Sequence, residues 1–319
     1  MDPLSDLLTL MKPAGYGFRG IDAGGDWALA FAAADGVLCF AIETGSCWLQ
    51  LASAPAPLRL AAGDVVLLSS GGEVELYSHQ AAPRRDAAAF LSGVPPGEVA
   101  VLNGGGDCRG IGGFFGLQGW HAASLLAAVP AVVHVRSASS KTALRAGVQR
   151  LMDELRTPRP GSDLIASHLA QALLVEALRA HLESGEGSQG WLAALGMPTL
   201  RRALSAMHAD VARRWTLRDL AAVAGMSRSS FAAHFERVTG DTPIAYLTRW
   251  RMVLAADRLT GSSRALADIA ASVGYESESA FGAAFKRVMD SSPRRYRAAA
   301  APAPTARSGR QDAAKVRQS

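Results

Sequence analysis

Between Trp215 and Tyr296 one pattern is written twice, and this repeat constrains the fold more than any other feature of the 319-residue chain. The first copy runs Leu217, Leu220, Val223, Gly225, Ser227, then Phe231, Phe235, Val238, Pro243 and Tyr246. The second runs Leu266, Ile269, Ser272, Gly274, Ser277, then Phe281, Phe285, Val288, Pro293 and Tyr296, with Val273 in the place of Ala224. Self-similarity at a fixed period marks one structural unit used more than once. Within the unit, Leu217, Leu220 and Val223 give a short helix an apolar face, and Gly225 sits where the chain leaving it needs positive φ. Ser227 can cap a second helix whose Phe231 and Phe235, at i and i+4, turn inward.

Two helices joined by a tight glycine turn have the geometry of a helix-turn-helix, which places its second helix in the DNA major groove. An ordinary αα-hairpin in a bundle would share those helices. Charge separates the two readings. Residues 1–190 carry 13 basic and 18 acidic side chains, residues 191–300 carry 16 and 9, and the tail carries 4 and 1. A basic half holding a duplicated unit points to nucleic acid, and the acidic half wants another partner.

No apolar run approaches the roughly 18 residues of a membrane span, and Met1-Asp-Pro-Leu-Ser-Asp6 is acidic where a secretory leader is basic, so a cytoplasmic protein is expected. Cys39, Cys47 and Cys108 are too scattered for a disulfide framework or a zinc site, and read first as small buried hydrophobes. Cys39 and Cys47 fall on neighbouring expected strands and are the redox candidates.

Leu4, Leu7, Leu8 and Met11 predict a short opening helix. From Gly17 to about Val135 the texture changes to short runs at 27–31, 37–42, 46–51 and 64–68, separated by Gly, Pro, Asp and Ser clusters, which reads as an antiparallel sandwich or barrel. Asn103 to Asp107 is a plain turn. Leu144, Val148, Leu151 and Leu155 then mark a helix, 157–161 breaks it, and a further helix runs from Asp163 to about Glu183. This hairpin packs within the monomer, contacts the DNA-binding half, or pairs two copies into a homodimer. The polar, glycine-rich stretch from Glu183 to Gly190 begins a linker over 184–197, and a helix with Leu200, Ala203, Leu204 and Met207 starts at Pro198.

Two resemblances follow from these residues. Ala62-Gly63-Asp64-Val65-Val66-Leu67-Leu68-Ser69-Ser70-Gly71 resembles the second-motif hairpin of the cupin barrel. Metal-binding cupins carry a Pro and a His where this chain has Ser69 and Val74, the first motif's histidine pair is missing, and His79 is the imidazole expected near the hairpin. No metal and no cofactor are therefore expected, since a metal site needs three or four converging ligands. Trp27, Phe31, Phe40, Trp48 and Tyr77 are the candidate lining of an effector pocket inside such a barrel.

Met226 through Gly240 with Pro243 and Tyr246, then Asp268 through Ser277, Phe285-Lys-Arg287 and Ser292-Pro-Arg-Arg-Tyr296, resemble the AraC/XylS family of bacterial transcription regulators. The resemblance implies an α+β protein: an N-terminal cupin-like β-barrel sensor domain over 1–136, a helical hairpin over 137–183, and a C-terminal all-α double helix-turn-helix domain over 198–298. A disordered tail, 299–319, is expected beyond. It implies a non-enzymatic, sequence-specific DNA-binding regulator that answers a small effector or redox signal, with double-stranded promoter DNA and RNA polymerase as partners. The rival is a cupin-type metal enzyme, a dioxygenase or isomerase, with a helical appendage.

With the phenylalanines inward, Ser229, Ser230, Ala233, Glu236 and Arg237 turn outward in the first unit, and Ser279, Ala280, Ala283, Lys286 and Arg287 in the second. Arg228, Arg237, Arg249, Lys286, Arg287, Arg294 and Arg295 are candidates for phosphate contacts, while the serines and Glu278 can address base edges. Many family members carry Arg where this chain has Ala233 and Ala283, so a bidentate guanine contact is lost at both places. Asp290 replaces the glycine that usually follows the second recognition helix, at a position that calls for the left-handed conformation.

Overall fold

The structure, a computed structural model, describes residues 2–10, 13–33, 36–69, 72–117, 130–135, 138–184 and 190–300. The expected tail lies outside them beyond Ala300. The chain forms two compact units, one made of Met1–Ala209 and Trp215–Pro243, the other of Asp210–Arg214 and Ile244–Ser319.

The first unit opens with α1 (Pro3–Leu10), whose first turn is closed by Asp2: Oδ1 accepts from the backbone N–H of Leu4 at 3.1 Å and of Ser5 at 3.0 Å. Eleven strands follow among the described residues: β1 (Pro13–Ala23), β2 (Ala28–Phe31), β3 (Gly36–Thr44), β4 (Ser46–Leu51), β5 (Leu58–Ala61), β6 (Val65–Leu68), β7 (Val74–Tyr77), β8 (Arg84–Asp86), β9 (Val99–Leu102), β10 (Cys108–Leu117) and β11 (Val132–Val135). A short helix, α2 (Ala87–Leu91), is capped by Asp86. The strands make a six-stranded sheet in the order β11-β6-β3-β10-β1-β9 and a five-stranded sheet in the order β5-β4-β7-β2-β8. Pairing is antiparallel except for β1 with β9 and β2 with β8.

One apolar cluster holds the two sheets together. Ile21, Phe40, Ile42, Val66 and Leu68 come from the larger sheet, and Leu29, Cys47, Leu49, Leu60 and Leu76 from the smaller. Side chains alternate along a strand, so the residues between these face away from the shared core. The four expected strand segments all appear, as β2, β3, β4 and β6.

The helical hairpin is α3 (Ala138–Arg156) and α4 (Ser162–Ser184), with Leu144, Val148 and Leu151 of α3 buried as their spacing predicts. Glu154 holds the bend, accepting from Ser162 Oγ at 2.6 Å and from Arg159 Nη2 at 3.1 Å. Both helices pack on β1, and α4 also on β11, so the hairpin uses its buried face within the monomer. Leu164 and Ile165 remain exposed on α4. The turn before β6 is tied to α3 by Lys141, whose Nζ donates to Asp64 Oδ1 at 2.7 Å. His134 Nε2, on β11, stands 3.5 Å from the same oxygen. This corrects the expectation that His79 is the imidazole of that hairpin, because His79 pairs instead with Asp26 at 2.8 Å.

Five helices carry the chain onward: α5 (Trp191–Gly196), α6 (Pro198–Ala209), α7 (Leu217–Ala224), α8 (Arg228–Thr239) and α9 (Pro243–Gly261). Three more close the second unit, α10 (Leu266–Ser272), α11 (Glu278–Met289) and α12 (Pro293–Ala300). The expected linker over 184–197 needs correction. Trp191–Gly196 is a helix, buried from Trp191 to Leu195, and the Gly190 N–H donates to Val238 O at 2.9 Å. A six-residue helix between glycines is too short for apolar periodicity to register. Within the first unit, α1 touches α6, where His208 Nδ1 lies 3.1 Å from Asp6 Oδ2.

Candidate nucleic-acid interface

In the first unit, α7 begins with a capping box. The Asp219 N–H donates to Thr216 Oγ1 at 3.2 Å, and the Thr216 N–H donates to Asp219 Oδ2 at 3.0 Å. Gly225 ends α7 with φ 71, in the left-handed region. Ser227 then starts α8, accepting from the Ser230 N–H at 3.2 Å. Phe231 and Phe235 are fully buried with ring centroids 5.7 Å apart, and Val238 is buried one turn on. That orientation leaves Ser229, Ser230, Ala233, Glu236 and Arg237 exposed, the set the spacing predicts, and Arg228 exposed beside them.

The second unit repeats the scheme with different closures. Its leading helix α10 starts at Ala265 without a side-chain cap. Gly274, φ 83, makes the turn, and Ser277 caps α11 by accepting from the Ala280 N–H at 3.2 Å. Phe281 and Phe285 are fully buried, 5.6 Å apart, and Tyr296 of α12 meets Phe285 edge-on at 5.4 Å. Glu278, Ser279, Ala280, Ala283, Lys286 and Arg287 are exposed. Asp290 ends α11 at φ 52, so the left-handed conformation expected there is adopted by a residue with a Cβ. Arg249 is exposed on α9 and belongs to neither recognition helix, and Arg294 and Arg295 are exposed on α12.

Sequence reasoning missed a third part of each repeat. Arg202 on α6 donates from Nη2 to Ala224 O at 2.7 Å and from Nε to Val223 O at 3.3 Å, occupying the last carbonyls of α7. Arg251 on α9, 49 positions later as Gly274 is from Gly225, donates from Nε to Val211 O at 2.8 Å and from Nη2 to Arg213 O at 2.7 Å. Its guanidinium also lies 5.9 Å from the centre of the Tyr275 ring. A Cβ at Gly274 would run into the Ala212 carbonyl and meet Arg251 Nη2 at 2.9 Å. In both copies, therefore, an arginine from the helix preceding the motif packs against the turn glycine. The equal offsets in the two copies were the signal that could have found it.

The expected effector pocket is largely filled. An interior cavity of the first unit measures about 20 Å³ and is lined by Trp27, Phe40, Ile42, Cys47, Leu76 and Cys108 among others. That is room for about one water. Phe31 packs edge-on against Phe40 at 5.1 Å. Trp48 and Tyr77 stand opposite each other across β4 and β7, in register with neither in the shared core, so they face away from the cavity. A larger concavity of about 290 Å³ opens between β3, β10 and α3, where Glu43, Ile111, Thr142, Arg145 and Gln149 line it.

The cysteine expectation is also corrected. Phe40 and Ile42 turn into the core from β3, so Cys39 faces the other side of the sheet, whereas Cys47 faces inward. Burial pushes the Cys39 thiol up to about 12. The thiol that shares the interior cavity with Cys47 is that of Cys108.

A β-sandwich of cupin type joined to a duplicated helix-turn-helix defines a one-chain transcription regulator, and comparison with known proteins agrees. The cupin family profile matches residues 2–183, and a helix-turn-helix domain profile matches residues 220–299. An AraC-like transcription regulator of Streptomyces antibioticus is 38% identical over 299 residues, covering 93% of this chain and 98% of the relative. An AraC-like regulator of Streptomyces lividans is 40% identical with the same coverage. The regulator AlkR of Acinetobacter baylyi is 40% identical over 176 residues, 54% of this chain and 58% of that protein. The chain belongs to the AraC family of transcription regulators and is a DNA-binding regulator with an N-terminal ligand-sensing domain. Its full-length relatives carry the names of regulators and not of enzymes. Among the described residues, no helix is long and apolar enough to cross a membrane.

Proposed function

We propose that α8 and α11 are the two recognition helices that read double-stranded promoter DNA, and that the bound chain controls access of RNA polymerase there. What carries this reading is the shared orientation of the two helices within their own units: buried phenylalanines inward, and small, hydroxyl and basic side chains outward. Arg228, Arg237, Lys286 and Arg287 supply phosphate contacts, with Arg249 a further cation outside the motif. Ser229, Ser230, Ser279 and Glu278 supply donors and acceptors for base edges, and Ala233 and Ala283 offer methyl groups to thymine.

The test is genome-wide mapping of bound sites followed by titration of a recovered fragment against salt. A log–log slope that loses about 1 for each of Arg228→Ala, Lys286→Ala and Arg287→Ala is the expected result. No enrichment over background, or unchanged slopes in all three, would remove the assignment. The effector of the first unit is proposed to occupy the concavity lined by Glu43, Arg145 and Gln149, which offers a cation, a carboxylate and an amide above an apolar floor. An Arg145→Glu chain that keeps its DNA affinity but loses its response to the inducing compound is the expected outcome, and an unaltered response counts against that location.

A further inference from the structure

Cys47 and Cys108 are 61 positions apart in sequence yet adjacent in the fold. Cys47 lies on β4 of the five-stranded sheet, opposite Leu60, and Cys108 opens β10 of the six-stranded sheet, opposite Ala23. Two observations bring them together independently. Both line the same interior cavity, and the backbones leading to them are in close contact. Thr44 is paired with Arg109, and a Cβ on Gly45 would collide with the Asp107 carbonyl and stand 3.0 Å from Cys108 Cα. Only glycine at position 45, φ 74, lets β4 approach β10 this closely. Cys39 takes no part, because it faces the opposite side of its sheet.

We propose that Cys47 and Cys108 are a reversible thiol–disulfide site oxidised by hydrogen peroxide, and that the bond joins the two sheets of the sensor domain. Cys108 is the attacking sulfur. The neighbouring Cys47 thiol draws the Cys108 thiol below its ordinary value, against burial and the nearby Asp22 and Asp107 carboxylates, while Cys47 is raised. The Cys108 thiolate displaces hydroxide from peroxide, giving a sulfenic acid, and the hydroxide takes a proton to leave as water. The Cys47 sulfur then attacks the sulfenic sulfur, its proton leaving with the departing hydroxyl as a second water. Two thiols lose one electron each and peroxide gains two. The cavity between them, about 20 Å³, fits a reactant close to water in size and excludes bulky hydroperoxides.

The experiment treats the full chain with hydrogen peroxide and counts free thiols after denaturation, with mass spectrometry of the peptides. The expected result is one free thiol left of three, an intramolecular link between the peptides holding Cys47 and Cys108, and full reversal by dithiothreitol. Cys39→Ala should form the link at the original rate, and Cys47→Ala or Cys108→Ala should form none. Cumene hydroperoxide should react slower by about tenfold or more if the cavity controls access. Because alanine at a buried site can loosen the sandwich, the wild-type peptide map is decisive without any variant. Three surviving thiols, a link through Cys39, or a link between two copies would each overturn the proposal. The outcome does not depend on DNA binding, so its failure leaves the assignment of α8 and α11 standing.

Discussion

Arg202 Nη2 donates to Ala224 O at 2.7 Å, closing the end of α7 from a helix outside the helix-turn-helix. The unit that presents α8 is thus three helices deep, and its turn is braced by a charge-assisted hydrogen bond. Arg202→Ala should lower the denaturation midpoint of the first unit by the equivalent of about 1 kcal/mol, below the roughly 1.5–3 kcal/mol of a charged hydrogen bond because this arginine is exposed. Arg202→Lys should recover only part of it, since a single ammonium cannot serve both the Val223 and Ala224 carbonyls in the same fork. Urea titration followed by fluorescence measures both, and equal midpoints for the parent chain and the Arg202→Ala variant would show the brace to be idle.

The two alanines on the recognition helices invite a gain-of-function experiment. Ala233 and Ala283 are exposed on the outward faces of α8 and α11, where an arginine would have free reach. Ala233→Arg should raise affinity for sites carrying guanine at the facing position by about 1–3 kcal/mol over adenine or thymine. Selection from a randomised DNA pool, run with both chains, reads this directly. Identical consensus sequences from the two would mean that residue 233 does not face a base.

Asp290 ends α11 at φ 52, a conformation that costs a side chain bearing a Cβ. Asp290→Gly should stabilise the second unit by about 0.5–1 kcal/mol. Gly274→Ala should do the reverse and more, because φ is 83 there and the added methyl meets the Ala212 carbonyl. Thermal melts of the two variants should move in opposite directions, and movement in the same direction would contradict the backbone argument.

His208 supplies a pH dependence. Burial holds its imidazole down at about 4, outweighing the Asp6 carboxylate beside it. The folded chain therefore keeps His208 neutral while the unfolded chain protonates it near 6.5. Stability is full above about pH 6.5 and falls as pH drops toward 4, by an amount on the order of 1–3 kcal/mol. His208→Gln should flatten that part of the stability–pH curve. A slope as steep as that of the parent chain between about pH 6.5 and 4 would assign the effect to other groups.

The helix-turn-helix units were legible in the sequence because each of their determinants is local. A cap, a turn glycine and two phenylalanines one turn apart are all read within a dozen residues, and α8 and α11 present the faces that such spacing dictates. Arg202 and Arg251 were not legible, because their partners lie 22 and 38–40 positions away and no periodicity links them. The strands could be located but not their facing. Cys39 and Cys47 sit on neighbouring segments yet look to opposite sides, and Cys47 meets Cys108 only through a register set by the whole sandwich. For the same reason Trp48 and Tyr77, chosen as aromatic alternation, turn away from the cavity lined by Trp27 and Phe40.

The two copies also differ in how they begin. Thr216 and Asp219 lock the entry to α7, while α10 starts at Ala265 with its first N–H groups unserved by any side chain of that residue. A missing cap of this kind costs a helix about 1 kcal/mol, or roughly fivefold in its opening equilibrium. The two halves of the reader are therefore unequal at their entries: Thr216 and Asp219 close the first turn of α7, and the first turn of α10 has no such closure from its own cap residue.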